Sequence, residues 1–440
     1  MLAVKIIICK IAKFILTKMG RGSSFPGELG LKLDKNMIKK MELPPLTICI
    51  TGSTGKTTIS GALTNIFEAA NMKVGTNLKG SNLTAGVLSV MLDSCTIFGK
   101  TKADVLVLEL DERYAKYLFK QMTPNYFIVN NLTRDQSTRN GHCELMFEEI
   151  QQEIAREIHL VLNADDPLVT KLSIRHEGPI TYYGVSKTKQ SKKETLSTLD
   201  FCYCPKCHTK LKYDYFQYSN MGKYACTKCD YKRPDVEYEA KIKDGYEFGI
   251  DGQTIKMDNN AIYNVYNLSA AYALAVTAGV KKETVTKALN NLSLTIKRID
   301  DFVIGTKNTV ILASKPENPM SYNQILEYIC TQDEEKTIVL ALDLISTRYP
   351  IQELSWLYDV YFEILKDQKN TKIICIGKFA YDLALRLKYA EVSSEKIDVY
   401  ESTEDLIEVI KNQTIGKVYA VLPFDIEKPL KKKLNSGGNI

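Results

Sequence analysis

The sequence has no apolar run long enough to cross a bilayer. Its most apolar end, "MLAVKIIICKIAKFILTK", is interrupted by Lys5, Lys10 and Lys13. No uncharged stretch remains that would serve as a signal peptide. The segment also falls short of the roughly 20 apolar residues that a spanning helix needs. A basic, partly apolar helix can lie on an anionic membrane surface, as a peripheral contact. Its lysines do not segregate cleanly to one face, however, and packing on the first domain is the simpler expectation. A basic stripe with interleaved aromatics is also missing. With a net charge of only +6 over 440 residues, nucleic acid is not an expected partner. No internal repeat and no long low-complexity tract is found.

A disulfide framework is missing as well. Of the 11 cysteines, five lie between Cys202 and Cys229. The others are scattered, several in apolar runs, as Cys49, Cys330 and Cys375 are. That pattern suits a reducing, cytoplasmic compartment, with one metal cluster and isolated core thiols. What is present is ordinary for a soluble globular protein: 45% apolar and 25% charged residues. The length allows two or three domains.

From Pro44 onward, short apolar strands alternate with helical patterns: "LTICI", "ADVLVLELDE", "YFIVNN" and "LVLNADDPL". Such alternation predicts a mainly parallel sheet covered on both faces. Residues 186–200 are polar and lysine-rich and read as a linker, followed by a cysteine module to about Pro234. "YEFGIDGQTIKMD" then reads as a hairpin, and "NVYNLSAAYALAVTAGV" as a helix ended by Gly279. After Asp301 the alternation restarts, from "TVILAS" to "KVYAVLPF". The expected division is an N-terminal helical segment over 1–43, a nucleotide-binding domain over 44–300 with an insertion at about 200–234, and a smaller Rossmann-like α/β domain over 301–440.

"TGSTGKTT", residues 51–58, stands between a strand and a helix. It lacks the leading glycine of the usual G-x-x-x-x-G-K-[ST] loop, since that position holds Ile50. The remaining chemistry is intact. Gly52 and Gly55 allow close backbone approach, and Ser53, Thr54 and Thr58 complete a loop whose N–H groups face phosphates. Lys56 would reach the β- and γ-phosphates, and the Thr57 hydroxyl would ligate Mg²⁺. Glu109 ends the strand "VLVLEL", at the edge where acids sit beside such a loop. Asp111 and Glu112 could instead be first-turn acids of the next helix, where they favour the dipole.

T-G-x-x-G-K-T-T without the first glycine resembles the phosphate loop of the Mur ligase family. "NLTRDQSTRNGH", "LNADDP" and "YNVYNLSAAYALA" match that family in order, so the resemblance runs from 51 to 275. It implies a carboxylate phosphorylated by ATP, then attacked by an amine. It also implies that Lys56 and Thr57 serve the phosphates and Mg²⁺, that Glu109 and Lys56 are catalytic with Glu109 serving the metal, and that Asn267 and Arg298 bind the nucleotide, Asn267 near the adenine. Where other members place a metal-binding histidine after Asp135, this chain has Gln136.

The cysteine module has its own signature. Cys204-x-x-Cys207 is separated by eighteen residues from Cys226-x-x-Cys229. Two such knuckles predict a structural Zn²⁺ ribbon with four thiolate ligands, Cys202 and His208 being spare donors. A ribbon inserted in this domain narrows the resemblance to one branch of the family. "RGSSFPGELGLKL", "NPMSYNQ", "SWLYDVYFE" and "LALRLKYAEV" extend it over nearly the whole chain. Members of that branch are synthetase subunits paired with a glutaminase of the GatD type. The implied reaction amidates the α-carboxyl of D-glutamate in the lipid II stem peptide, at the inner face of the membrane. No cysteine here lies in a G-x-C-x-G elbow, so ammonia must come from another chain or from free ammonium.

The chain departs from that branch in three places. Pro350-Ile351 replaces a D-G pair, Glu317-Asn318-Pro319-Met320-Ser321 replaces K-N-P-A-G, and Thr138 replaces an acid. Glu353 aligns with the acid that completes the partner's catalytic triad, or else is a helix-start acid after Pro350. Asp359 lies opposite the stripe Leu354, Leu357, Tyr361 and Leu365 and is expected to be solvated. Two other readings stay open: a Mur-type ligase with an amino-acid nucleophile, and a diverged nucleotide-binding scaffold.

Overall fold

The computed structural model describes residues 2–18, 24–78, 81–195, 199–243, 246–257, 261–292, 299–315, 317–343 and 353–435. They fall into two compact units. The first holds the described residues of 1–133, 142–195 and 199–294, and the second those of 134–141 and 295–440.

The first unit is built on strands β1 (Leu46–Thr51), β2 (Val74–Thr76), β3 (Val105–Glu109), β4 (Tyr126–Val129), β5 (His159–Asn163) and β6 (Ile180–Val185). A hairpin of β7 (Lys212–Tyr218) and β8 (Met221–Ala225) stands apart from that sheet. The sheet is completed by β9 (Tyr238–Ile242), β10 (Glu247–Ile250) and β11 (Gln253–Lys256). Its order is β11-β10-β9-β6-β5-β4-β1-β3-β2. The strands from β2 to β9 in this order run parallel, and β10 and β11 close the edge as the expected antiparallel hairpin.

Because side chains alternate across a strand, each strand feeds two cores. Cys49, Leu106, Leu108, Phe127 and Leu160 enter one, and Ile48, Ile50, Val105, Val107 and Ile128 the other. Burial on both faces is why these strands read as nearly unbroken apolar runs. Helices α1 (Leu2–Lys18), α2 (Phe25–Leu33) and α4 (Thr84–Asp93) cover the first face. Helix α3 (Lys56–Ala69) and the helices Ile262–Thr277 and Lys282–Asn290 cover the second. The N-terminal helices thus belong to the core of the first unit, through Ile6, Cys9, Met37 and Ile38.

The described part of the 186–200 stretch is not a free linker. Lys192 exchanges both backbone hydrogen bonds with Phe216 of β7, at 2.9 and 2.8 Å, and the Ser191 hydroxyl donates to Gln217 at 2.8 Å.

The second unit is a six-stranded sheet of β12 (Ile299–Ile304), β13 (Lys307–Ser314), β14 (Lys336–Ala341), β15 (Thr371–Ile376), β16 (Ile397–Tyr400) and β17 (Lys417–Pro423). Its order is β12-β13-β17-β14-β15-β16, parallel except for the antiparallel edge strand β12. Asp359 is not solvated as expected. Both its carboxylate oxygens accept from Arg134 at 2.9 Å, within this unit. The helical stripe assumed for 354–365 is in fact two 3₁₀ turns, Ser355–Tyr358 and Phe362–Leu365, so the helical wheel does not apply there.

Helices α2 and α4 meet at Gly27. A Cβ added there would lie 1.7 Å from the Ala85 carbonyl oxygen, and the Gly27 N–H donates to the Ser89 hydroxyl at 2.9 Å. Gly27→Ala must separate the two helices. We expect it to cost about 1–3 kcal/mol, the usual range for overpacking. Urea unfolding followed by circular dichroism measures this, and an unchanged midpoint contradicts the contact.

Candidate functional site

The loop 51–58 sits at the carboxyl end of β1, flanked by β3 and β4, where parallel sheets bind ligands. Ile50 remains a strand residue: it is fully buried, lies in register with Glu109, and its carbonyl accepts from Leu110 N–H at 2.8 Å. Thr51 is also a strand residue, so the loop begins at Gly52, two residues later than the usual motif. Gly55 caps α3 with φ of 87°, and a Cβ there would lie 2.1 Å from Asn267 Oδ1. Only glycine satisfies both conditions.

The back of the loop is held by two asparagines that follow β4. Asn131 Oδ1 accepts from the Thr54 N–H at 2.9 Å, and its carbonyl accepts from the Ser53 N–H at 2.9 Å. The Nδ2 groups of Asn130 and Asn131 both donate to the Thr54 carbonyl at 3.1 Å. Asn130 also donates to Asn267 Oδ1 at 2.9 Å and accepts from the Tyr183 hydroxyl at 2.6 Å. The Ser53 hydroxyl donates to the Thr133 carbonyl at 2.8 Å. Asn267 is thus buried against the loop itself.

The functional side chains of the loop point to acids. The Thr57 hydroxyl donates to Glu109 Oε2 at 3.0 Å. Asn77 brackets Glu109, accepting from its N–H and donating to its carbonyl, both at 2.8 Å. Lys56 Nζ donates to the Gly52 carbonyl and makes a 2.6 Å ion pair with Glu112. Glu112 is buried, and only 13% of the Lys56 side chain is exposed. Glu112 does open the next helical turn, as the sequence led one to expect, but its pair with Lys56 was missed. Asp111, not Glu112, caps the 3₁₀ turn that follows, accepting from Arg113 N–H at 3.2 Å. Asn77, Asn130 and Asn131 were missed too, because strand order, not sequence distance, brings them to the loop.

The two acids of "LNADDP" are scaffold. Asp166 accepts from Leu132 N–H and Leu168 N–H, each at 2.9 Å, and from Val169 N–H. Burial outweighs those donors and pushes its carboxyl up to about 7. Asp165, fully buried, pairs with Arg233 at 2.6 Å and accepts from the Tyr266 hydroxyl at 2.5 Å. Burial raises its pKa, against the pull of the Arg233 charge.

Arg233 stands at the end of the cysteine module. There the sulfurs of Cys204, Cys207, Cys226 and Cys229 all lie within 4.8 Å of one another. The N–H groups of Lys206 and Lys228 point at the Cys204 and Cys226 sulfurs, each at 3.4 Å. Four thiols so gathered, with amides aimed at the first sulfur of each knuckle, fit a tetrahedral thiolate-bound cation. Cys202 and His208 are outside the group.

In the second unit Glu353 is exposed, and its carboxylate accepts from Ser355 N–H at 2.7 Å. That bond holds its pKa below the usual range. Glu353 precedes a 3₁₀ turn and not an α-helix. Arg298 and residues 344–352 lie outside the described residues. Asp135 accepts from Lys315 at 2.6 Å and from Asn318 at 3.0 Å, and Gln136 N–H donates to the Glu317 carbonyl at 2.8 Å. The departures at 317–321 and 136–138 thus meet in one network, since the Glu317 carboxylate also accepts from Thr138 N–H at 2.9 Å.

Comparison with known proteins matches residues 50–275 to the Mur ligase middle domain and 316–424 to the MurT ligase C-terminal domain. The chain is 31% identical over 405 residues to the lipid II isoglutaminyl synthase (glutamine-hydrolyzing) subunit MurT of Staphylococcus aureus, covering 90% of each chain. It is 28% identical over 419 residues to the subunit of the same name from Streptococcus pneumoniae, covering 93% of this chain and 92% of that one. Among solved structures it resembles a pseudomurein peptide ligase type C from Methanothermus fervidus, with a TM-score of 0.68 and 20% identity. That match covers 91% of this chain and 81% of that one, and it speaks for the fold.

Lys56→Ala should abolish ADP formation. It should also destabilise the first unit by about 1–3 kcal/mol, because Glu112 is left buried and uncompensated. Adding Glu112→Gln should recover stability without recovering ADP formation. A coupled ADP assay and thermal unfolding check both halves. Turnover in Lys56→Ala contradicts the phosphate role, and unchanged stability contradicts the pair.

Proposed function

Since the chain belongs to the Mur ligase family, in its MurT branch, we propose that it is the synthetase subunit of a glutamine-dependent lipid II isoglutaminyl synthase. It is an ATP-dependent carbon–nitrogen ligase. The observation that carries the reading is the pairing of Lys56 and Thr57 with Glu112 and Glu109 at the mouth of the phosphate loop.

ATP transfers its γ-phosphoryl group to the α-carboxylate of D-glutamate in the stem peptide, giving an acyl phosphate and ADP. Ammonia attacks the carbonyl carbon, the C–O bond to phosphate breaks, and the nitrogen loses a proton. The products are the D-isoglutaminyl amide and phosphate. In this scheme Lys56 leaves Glu112 to meet the phosphates, and the N–H groups where the loop enters α3 supply further donors, those of Ser53 and Thr54 being bonded to Asn131. The oxygens of Thr57 and Glu109 suit Mg²⁺, which when bound would offset phosphate charge. Asn267 and Arg298 are assigned to the nucleotide. The reaction belongs in the cytoplasm, at the inner face of the membrane.

Ammonia comes from a glutaminase subunit of the GatD type, bound as a heterodimer. Glu353 is assigned to orient that partner's catalytic histidine; its exposure and depressed pKa keep a charged carboxylate at the surface. Co-purification with such a glutaminase should give glutamine-dependent amidation of lipid II. Glu353→Gln should lower the glutamine-dependent rate at least about tenfold and leave ammonium-dependent amidation unchanged. If both rates fall together, or neither changes, Glu353 has no such role. If an amino acid and not ammonia is incorporated, the chain is a Mur-type ligase of another specificity.

The four cysteines are assigned to Zn²⁺ in an inserted ribbon. The ribbon's Arg233 holds Asp165 beside β6, so the metal would stabilise the first unit. Metal analysis should find one zinc per chain, and Cys204→Ser/Cys226→Ser should lose it and lower the unfolding temperature. Zinc-free, fully stable protein contradicts the assignment.

A further inference from the structure

Tyr183 on β6 is fully buried in the core that α3 covers. A phenylalanine would fill that space as well, so the hydroxyl needs its own reason. It meets Asn130 Oδ1 at 2.6 Å. Burial holds the Tyr183 pKa well above the usual tyrosine range, so the hydroxyl keeps its proton and can always donate.

The bonds around Asn130 have only one consistent direction. A backbone carbonyl can only accept, so the amides of Asn130 and Asn131 that meet the Thr54 oxygen at 3.1 Å must turn Nδ2 to it. Asn130 Oδ1 then lies on the other side, and Tyr183 is its donor. The second N–H of the same Nδ2 reaches Asn267 at 2.9 Å, so Asn267 turns its oxygen inward. Asn163 fixes the backbone of this relay, donating to the Asn130 carbonyl at 3.0 Å. The Asn267 Nδ2 group remains, and its two donors meet no acceptor among the described residues. Asn267 is only 4% exposed. An amide so enclosed, with its nitrogen unpaired, calls for an acceptor on a ligand. It also stands against the phosphate loop: a Cβ on Gly55, the residue before Lys56, would lie 2.1 Å from Asn267 Oδ1.

We propose that Tyr183 is a positioning residue for the nucleotide base. Its hydroxyl fixes the direction of the Asn130 amide, and through it the side of Asn267 that the base meets. The base is therefore met by N–H donors and is held through a ring acceptor, such as a purine nitrogen that carries no hydrogen. This rests on the assignment of Asn267 to the nucleotide, and not on the identity of the carboxylate or the amine. Without the hydroxyl, Asn130 Oδ1 is a buried acceptor with no donor. The Asn130 amide then gains by turning away from Thr54, and Asn267 loses the donor that keeps its oxygen inward.

The test is calorimetric binding of nucleotide to the full chain with Mg²⁺. ATP is compared with 7-deaza-, 3-deaza- and 1-deaza-ATP, each of which lacks one ring acceptor. Wild-type protein should bind one of the three on the order of tenfold more weakly than ATP, as expected when a buried donor loses its partner. Tyr183→Phe should reduce that ratio to about threefold or less. Asn130→Asp keeps the shape and the Tyr183 bond but has no N–H to give, so Asn267 should turn round and the ratio should vanish. That variant tests the relay from its middle even where Tyr183→Phe does not fold. An equal loss of affinity for ATP and all three analogues in Tyr183→Phe, with the ratio kept, means that Tyr183 only fills the core and overturns the proposal. So does wild-type protein that binds all four nucleotides alike, a result that needs no variant. The expected ratios in a protein that forms no amide support this inference and contradict the amidation reading instead.

Discussion

The structure depends on the way Asn130 and Asn131 grip the Thr54 carbonyl. A phosphate loop works only if the N–H groups where it enters the helix are aimed at the ligand, which requires the rest of the loop to be held in place. The two side-chain amides restrain the loop from its other side, and Asn131 Oδ1 takes up the Thr54 N–H. The same asparagines directly follow β4, which pairs with β1. Loop shape is therefore set by strand order. That also accounts for the missing leading glycine. Ile50 stays in the sheet as a buried residue bonded to Leu110, so no glycine is needed until Gly52.

From this grip the acids follow. β3 pairs with β1 on its other side, in register to Glu109, which brings that carboxylate to the Thr57 hydroxyl. Three residues on, Glu112 is buried and finds Lys56. A buried ion pair of this kind is weak evidence of stability in itself, because desolvation offsets much of the attraction. Its use here is to hold a lysine beside the loop. Asn267 reaches the same loop from the helix Ile262–Thr277, so helix packing is also tied to the site.

Much of the fold was legible because both faces of each sheet are buried. Runs such as "VLVLEL" could be little else than interior parallel strands. The loop, Glu109 and the four clustered cysteines were legible because their chemistry is local in sequence. Glu112 was not, since an acid three residues after a strand has the same appearance whether it caps a turn or meets a lysine 56 residues away. Asp359 was misread for a related reason: the wheel assumed an α-helix, whereas two 3₁₀ turns and the Arg134 pair place it otherwise. The linker reading failed for the described residues of 186–200 because pairing with β7 is a backbone property that polar composition does not reveal.

The central claim is that this loop transfers phosphate to a carboxylate. It is tested most directly by oxygen labelling. Substrate carrying ¹⁸O in the D-glutamate α-carboxyl is amidated with ATP and ammonium, and the released phosphate is examined by mass spectrometry. An acyl phosphate must leave one labelled oxygen on each phosphate when its C–O bond breaks. The account predicts one ¹⁸O transferred per amide formed, and no transfer without ATP. Amide formation with unlabelled phosphate would contradict it.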